Sequence, residues 1–210
     1  MIALKKIQLS HLLLGASTLA IIGLITLFTV TSKTEFGEKT PRSFAELGGD
    51  FTLQSAKGDV SLSDFQGKAV VMYFGFMNCP EVCPNSMGVL QSAFNRLDVD
   101  ELKNVQGIMI SIDPERDNVK SLEQFTQYYH PQIVGLTGDD ATVEKTADQY
   151  GAYFKRTKDK VNDYLFEHVS RYYVIDQQGN LVDALRHSTT PSELTAKLRE
   201  TLTNKPLALQ

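Results

Sequence analysis

The sequence predicts an α/β fold, a central mixed sheet flanked by helices, preceded by a membrane-spanning helix. Three observations carry that expectation. Ala69–Phe76 and Val105–Ile112 are apolar, β-branched runs without polar alternation, the mark of strands buried on both faces of a sheet. After each of them apolar residues recur at helical spacing. Near the start, Leu12 to Val30 is nineteen residues without a charge, long enough to cross a bilayer as a helix.

Lys5 and Lys6 precede that apolar run. It is longer than the apolar core of a secretory signal, and Phe28-Thr29-Val30-Thr31-Ser32 is a poor cleavage site, so an uncleaved anchor over residues 1–30 is expected. The positive-inside rule keeps the lysines in the cytoplasm and places residues from about 31 onward outside it. The segment lacks the Arg-rich character of an organellar transit peptide, which points to a bacterial inner membrane with the remainder in the periplasm. Residues 31–46 are polar, contain Pro41 and hold no period, and read as a flexible tether. A globular domain is expected over 47–204, with a short tail at 205–210.

Two of the 21 basic residues lie in the anchor, and 25 acidic residues lie beyond it, so the exported part carries a net charge of −6. A nucleic-acid partner is disfavoured.

Taken in order, Phe51–Ser55 and Val60–Leu62 are expected as short strands around the turn Lys57-Gly58-Asp59. The buried strand Ala69–Phe76 runs into Cys79-Pro80-Glu81-Val82-Cys83-Pro84. Pro84 lacks an N–H and suits the first helical position, which would make Cys83 the N-cap. Val89, Leu90, Ala93, Phe94 and Leu97 then form the core face of that helix. Val105–Ile112 gives a second buried strand, succeeded by the polar turn Asp113–Asp117 and a helix from Val119 to Tyr129. Ile133–Leu136 is a short strand, Gly138-Asp139-Asp140 caps a helix to about Tyr150, and Ala152–Lys155 is expected at a sheet edge. Tyr172–Asp176 and Leu181–Leu185 flank Gln177-Gln178-Gly179-Asn180 as a hairpin, and Pro191 opens a last helix carrying Leu194, Leu198 and Leu202. A strand, a cysteine loop and a helix in that order make the arrangement thioredoxin-like.

Cys79 and Cys83 are the only cysteines. A disulfide across so short a loop stabilises little, so the pair is read as chemical rather than architectural. A thiol at a helix N-terminus sits at the positive end of the helix dipole, which favours the thiolate that binds metals or attacks disulfides. Of the four histidines, His11 lies in the anchor, His130 ends a helix where a histidine commonly meets the dipole, and His187 comes after a hairpin strand. His168 sits on a loop at a strand entrance, able to fold over a site, although a lone loop histidine is more often a surface residue. Two thiolates and one imidazole are one short of structural zinc; soft sulfurs favour Cu(I) and the imidazole also suits Cu(II). Met72, Met77, Met87 and Met109 offer thioethers, but methionines beside buried strands usually pack.

Cys79-Pro80-Glu81-Val82-Cys83-Pro84, then Ser111-Ile112-Asp113-Pro114-Glu115-Arg116-Asp117, then Gly135-Leu136-Thr137-Gly138, then His168, resemble the Sco/SenC family in order and spacing from about Phe51 to Leu202. The resemblance implies a thioredoxin-like fold, an amino-terminal anchor, and copper, as Cu(I), Cu(II) or both, held by Cys79, Cys83 and His168. It also implies partners, a copper donor and the CuA-bearing subunit of cytochrome c oxidase, whose copper centre the protein would supply or prepare. The family often has Asp-His-Ser where this chain has Glu167-His168-Val169, and Glu167 keeps a carboxylate able to orient the imidazole. Asp113 and its turn have two readings, a local turn with Arg116 and Asp117 as a surface pair or helix cap, or a group that tunes the copper loop.

The expected function is therefore a metallochaperone rather than an enzyme. The alternative is a thiol–disulfide oxidoreductase with Cys79 and Cys83 as the catalytic pair, reducing the cysteines of the target copper site. Against it, the cysteines are separated by three residues rather than two, and there is no tryptophan. A thiol peroxidase is disfavoured because Phe76 stands where such enzymes place a threonine.

Overall fold

The computed structural model describes residues 46–158 and 164–203, which belong to one compact unit. The expected anchor, nearly all of the tether and the tail lie outside the described residues. Among the described residues no helix is long and apolar enough to cross a membrane.

Among the described residues nine strands and five helices succeed one another, with a 3-10 turn at Leu62–Phe65. Strand β1 (Thr52–Ser55) pairs with β2 (Gly58–Ser61) as a small antiparallel hairpin. Strand β3 (Ala69–Gly75) leads through the cysteine loop to helix α1 (Val82–Phe94), and short helix α2 (Val99–Lys103) precedes β4 (Val105–Ser111). Helix α3 (Val119–Tyr129), β5 (Ile133–Leu136) and α4 (Asp140–Gln149) come next. Strands β6 (Phe154–Lys158), β7 (Tyr164–His168), β8 (Arg171–Ile175) and β9 (Leu181–Arg186) precede helix α5 (Pro191–Thr203).

The central sheet has the order β5-β4-β3-β8-β9. β3, β4 and β5 run parallel, while β8 and β9 are antiparallel to their neighbours, the mixed thioredoxin-like sheet that the sequence predicts. Every residue of β3 and of β4 is buried, as their unbroken apolar runs require. Side-chain alternation splits β3 between two faces. Tyr73 and its cross-strand partner Tyr172 face one way, and the Tyr172 hydroxyl donates to the Ser86 carbonyl on α1 at 2.9 Å. Phe74 and Tyr173 face the other way and pack edge-on, with Tyr150 beyond them. Leu90, Ala93 and Phe94 of α1 are fully buried, and each of the two larger side chains contributes about 2–3 kcal/mol by leaving water.

Two expectations need correction. Phe154–Lys158 is not an edge strand of the sheet; it pairs with β7 in a separate two-stranded ribbon. Lys155, Arg156 and Lys158 are exposed along it, and burying that many charges against the sheet would be costly. His168 does not lie on a loop. It is the last residue of β7, directly opposite Phe154.

Candidate metal centre

Strand β3 ends at Gly75, and the chain turns through Phe76–Glu81 before α1 begins. The turn is held from below. Asp117 accepts the Met77 N–H at 2.9 Å and the Ser111 hydroxyl at 2.6 Å, and the Cys79 N–H donates to the Phe76 carbonyl at 3.3 Å.

Helix α1 starts two residues earlier than expected, so Cys83 is its second residue and Pro84 its third, with Glu81 at the N-cap. Proline is tolerated there because first-turn N–H groups have no intrahelical acceptor. The Glu81 side chain makes no capping bond. The sulfur of Cys79 takes that task, accepting the Cys83 N–H at 3.4 Å. A thiolate at this position meets both an N–H donor and the helix dipole.

Both cysteines are free, with Cys79 8 % exposed and Cys83 fully buried. Only glycine fits beside them at position 75. A Cβ there would stand 2.8 Å from the Tyr73 ring, closer than real side chains approach, and 3.0 Å from Cys83 Sγ, tighter than most. The Tyr73 hydroxyl donates to Cys83 Sγ from 3.9 Å.

β7 brings the third group. His168 Nε2 lies 3.9 Å from Cys83 Sγ, its ring meets Phe76 and Tyr73 edge-on, and its Nδ1 is 3.5 Å from the Ser170 hydroxyl. One ligand atom from each of Cys79, Cys83 and His168 lies within 4.8 Å of the others. Among the described residues this is the only cluster of His, Cys, Asp and Glu with such geometry.

The two sulfurs are unequal. A bond from Cys83 pulls the Cys79 thiol down to about 4, and His168 and the N–H of Cys83 act in the same direction against burial. The same bond and burial push Cys83 far up. Their shared bond therefore favours ionisation at Cys79 over Cys83, while burial resists it at both.

The other expected groups are elsewhere. His130 is buried against Phe94 and accepts the Gln132 N–H at its Nδ1, 3.1 Å away, so it is a packed acceptor rather than a dipole partner. His187 is exposed and His11 lies outside the described residues. Met72, Met87 and Met109 are buried in the core. Glu167 does not orient the imidazole: adjacent strand residues point to opposite faces, Glu167 is exposed, and Ser170 is the neighbour of Nδ1.

Arg116 and Asp117 form neither a surface pair nor a helix cap. Asp113 and Asp117 are both fully buried, Arg116 pairs with Asp113, and Asn118 caps α3. Sequence reasoning missed Asp117 as the support of the cysteine loop. Its signal was a third carboxylate in a turn that ends a buried strand, a pattern that helix capping explains equally well.

The SCO1/SenC family model matches residues 39–203. The chain belongs to the SCO1/SenC family. Among curated relatives, the mitochondrial SCO2 homolog of Mus musculus is 33% identical over 154 residues, 72% of this chain and 60% of that protein. The chain thus spans less than two thirds of that relative's length. Among solved structures, Bradyrhizobium japonicum ScoI with copper bound is 31% identical with a TM-score of 0.68, over 74% of this chain and 99% of that one. BsSco, described as a member of the Sco family of cytochrome c oxidase assembly proteins with a disulfide switch, is 25% identical with a TM-score of 0.61, over 76% and 95%. Copper-bound Sco structures and a Cys-Cys-His group suited to a metal ion agree on the class of cofactor.

Proposed function

We propose that this Sco protein is a membrane-anchored copper chaperone. It holds one copper ion through the sulfurs of Cys79 and Cys83 and the Nε2 of His168, and gives it to the CuA centre of cytochrome c oxidase. The single observation that carries this reading is the convergence of two sulfurs and one imidazole within 4.8 Å. Two soft donors and one borderline donor suit either oxidation state of copper, and a set of three is one short of a closed zinc site. Binding through both sulfurs as thiolates releases protons from the pair, with Cys79 the more readily ionised of the two.

The uncharged run at Leu12–Val30, after Lys5 and Lys6, supports a single-pass anchor in a bacterial inner membrane with the domain in the periplasm.

The unequal sulfurs favour a second reading, reduction of the partner's cysteines. Cys79 thiolate attacks the partner disulfide, forming a mixed disulfide and releasing one partner thiolate. Cys83, losing its proton to that thiolate, then attacks Cys79 Sγ. The second partner thiolate leaves, and a Cys79–Cys83 disulfide carries the two electrons' worth of oxidation.

The two readings separate in a strain lacking this protein, restored with wild type, Cys79→Ala, Cys83→Ala or His168→Ala, by the copper content of the oxidase CuA centre. Delivery as Cu(II) requires all three side chains, whereas two thiolates alone still hold Cu(I). Full CuA content with His168→Ala and none with the cysteine variants would overturn Cu(II) delivery, and a measured loss of Cu(I) binding in His168→Ala would then leave reduction as the reading.

A further inference from the structure

Among the described residues the ribbon that carries His168 has no backbone pairing to the central sheet, because β6 and β7 pair only with each other. Val169 and Ser170 join His168 to β8 and so tether one end of β7; contacts at its other end complete the placement of the imidazole opposite the sulfurs. Tyr164, Phe166 and His168 share one face of β7, since alternate strand residues point the same way. His168 faces the cysteines, and Phe166 packs edge-on against Phe76 of the cysteine loop with ring centroids 5.3 Å apart. Tyr164 is tied to the turn after β4. Its hydroxyl lies 2.8 Å from Asp113 Oδ1 and 3.0 Å from Glu115 Oε2, and its carbonyl accepts from Arg116 at 3.2 Å. Arg116 and Arg156 lie over its ring, 3.8 Å and 4.3 Å from the centroid, and Arg156 is paired with Glu115 at 3.1 Å.

Most of these contacts are sequence-distant and polar. Asp113, Glu115 and Arg116 lie in one turn, and Tyr164 lies about fifty residues later. Asp113 is anchored in turn, being fully buried at the end of a strand adjacent to β3, which delivers the cysteines. The turn and the cysteine loop thus share one support, and Tyr164 fastens the far end of the histidine arm to it.

We propose that Tyr164 is a positioning residue for the metal centre, its hydroxyl latching the β6–β7 ribbon to Asp113 and Glu115 so that His168 is held at ligand distance from Cys83. The proposal rests on the copper reading above only for its metal-binding readout. Tyr164 touches no ligand atom and acts through the register of its strand. The hydroxyl adds nothing to the stacking of the ring, so Tyr164→Phe removes the latch and keeps the packing.

The test compares the full chain in detergent as wild type, Tyr164→Phe, His168→Ala and the double variant, by competition for Cu(II). Losing a hydrogen bond to a carboxylate is expected to weaken Cu(II) binding by about tenfold. In the His168→Ala background Tyr164→Phe is expected to change nothing, because the arm then has no ligand to present. An equal loss in both backgrounds, or no loss in either, overturns the proposal. Hydrogen exchange of the β7 amides in metal-free protein is expected to speed up in Tyr164→Phe while Cys79–Phe94 stays unchanged. Unaltered β7 exchange overturns the latch whether or not copper binds, whereas a wild type that binds neither Cu(II) nor Cu(I) overturns the chaperone reading alone.

Discussion

Cys83 Sγ and His168 Nε2 lie 3.9 Å apart although 85 residues separate them in the chain. One sits in the first turn of a helix fed by a central strand, and the other ends a strand outside the sheet. The site is thus assembled from a fixed half and an attached half, and its variants should divide accordingly.

His168→Ala removes the only imidazole of the group and leaves both sulfurs in place. Cu(II) affinity should fall by about a hundredfold or more, while Cu(I), which accepts two thiolates, should lose much less. Competition titrations in each oxidation state would measure the split, and equal losses would contradict it.

Ser170→Ala should weaken Cu(II) binding by about tenfold, since a group that fixes a ligating imidazole contributes on that order. Its hydroxyl is the neighbour of His168 Nδ1 at 3.5 Å. Glu167→Gln, on the exposed side of the strand, should leave affinity unchanged, and the same titration compares the two.

In reduced, metal-free protein the ultraviolet absorbance of one thiolate should persist as pH falls from neutrality and disappear only near pH 4. The bond from Cys83 is the largest cause of that depression, so Cys83→Ala should move the transition of Cys79 upward. A transition that stays in place would mean the helix terminus alone sets it.

Gly75→Ala should both destabilise the fold and damage the site. The added methyl would meet the Tyr73 ring and Cys83 Sγ, and overpacking of this kind costs about 1–3 kcal/mol. Denaturant unfolding of the metal-free protein measures the first effect and copper titration the second.

Asp117→Ala strands the Met77 N–H and the Ser111 hydroxyl and should cost about 2–3 kcal/mol. Asp117→Asn keeps an acceptor and should cost less. Burial raises the Asp117 carboxyl above its ordinary value, so its contribution is fully present below the unfolded pKa and declines as pH rises through the folded one. Relative to wild type, the Asn variant should therefore look better at about pH 7 than at about pH 4. Unfolding at the two pH values checks the sign.

Much of this molecule is legible in one dimension. β3, β4 and β5 announce themselves because strands buried on both faces need unbroken apolar runs, and α3 begins where Asn118 can accept the Ser121 N–H. The ribbon is harder to read. Phe154–Lys158 carries three cations in five residues, and Tyr164–His168 is short and only half-buried, so neither has the pattern of a core strand.

Residue identities and spacings already carry the chemistry: two cysteines in one loop after a buried strand, a helix beyond them, and a motif order that marks the family. Tertiary structure decided how that chemistry is held. It brought His168, the histidine that the resemblance implies, beside the sulfurs, made Cys79 the cap of α1, chose Ser170 over Glu167 for the imidazole, and turned Asp113 and Asp117 inward as supports. The reason is physical. Local patterns record which face of an element is buried, whereas a ligand set depends on contacts between elements many residues apart, and the cost of closing such loops leaves no mark on either end.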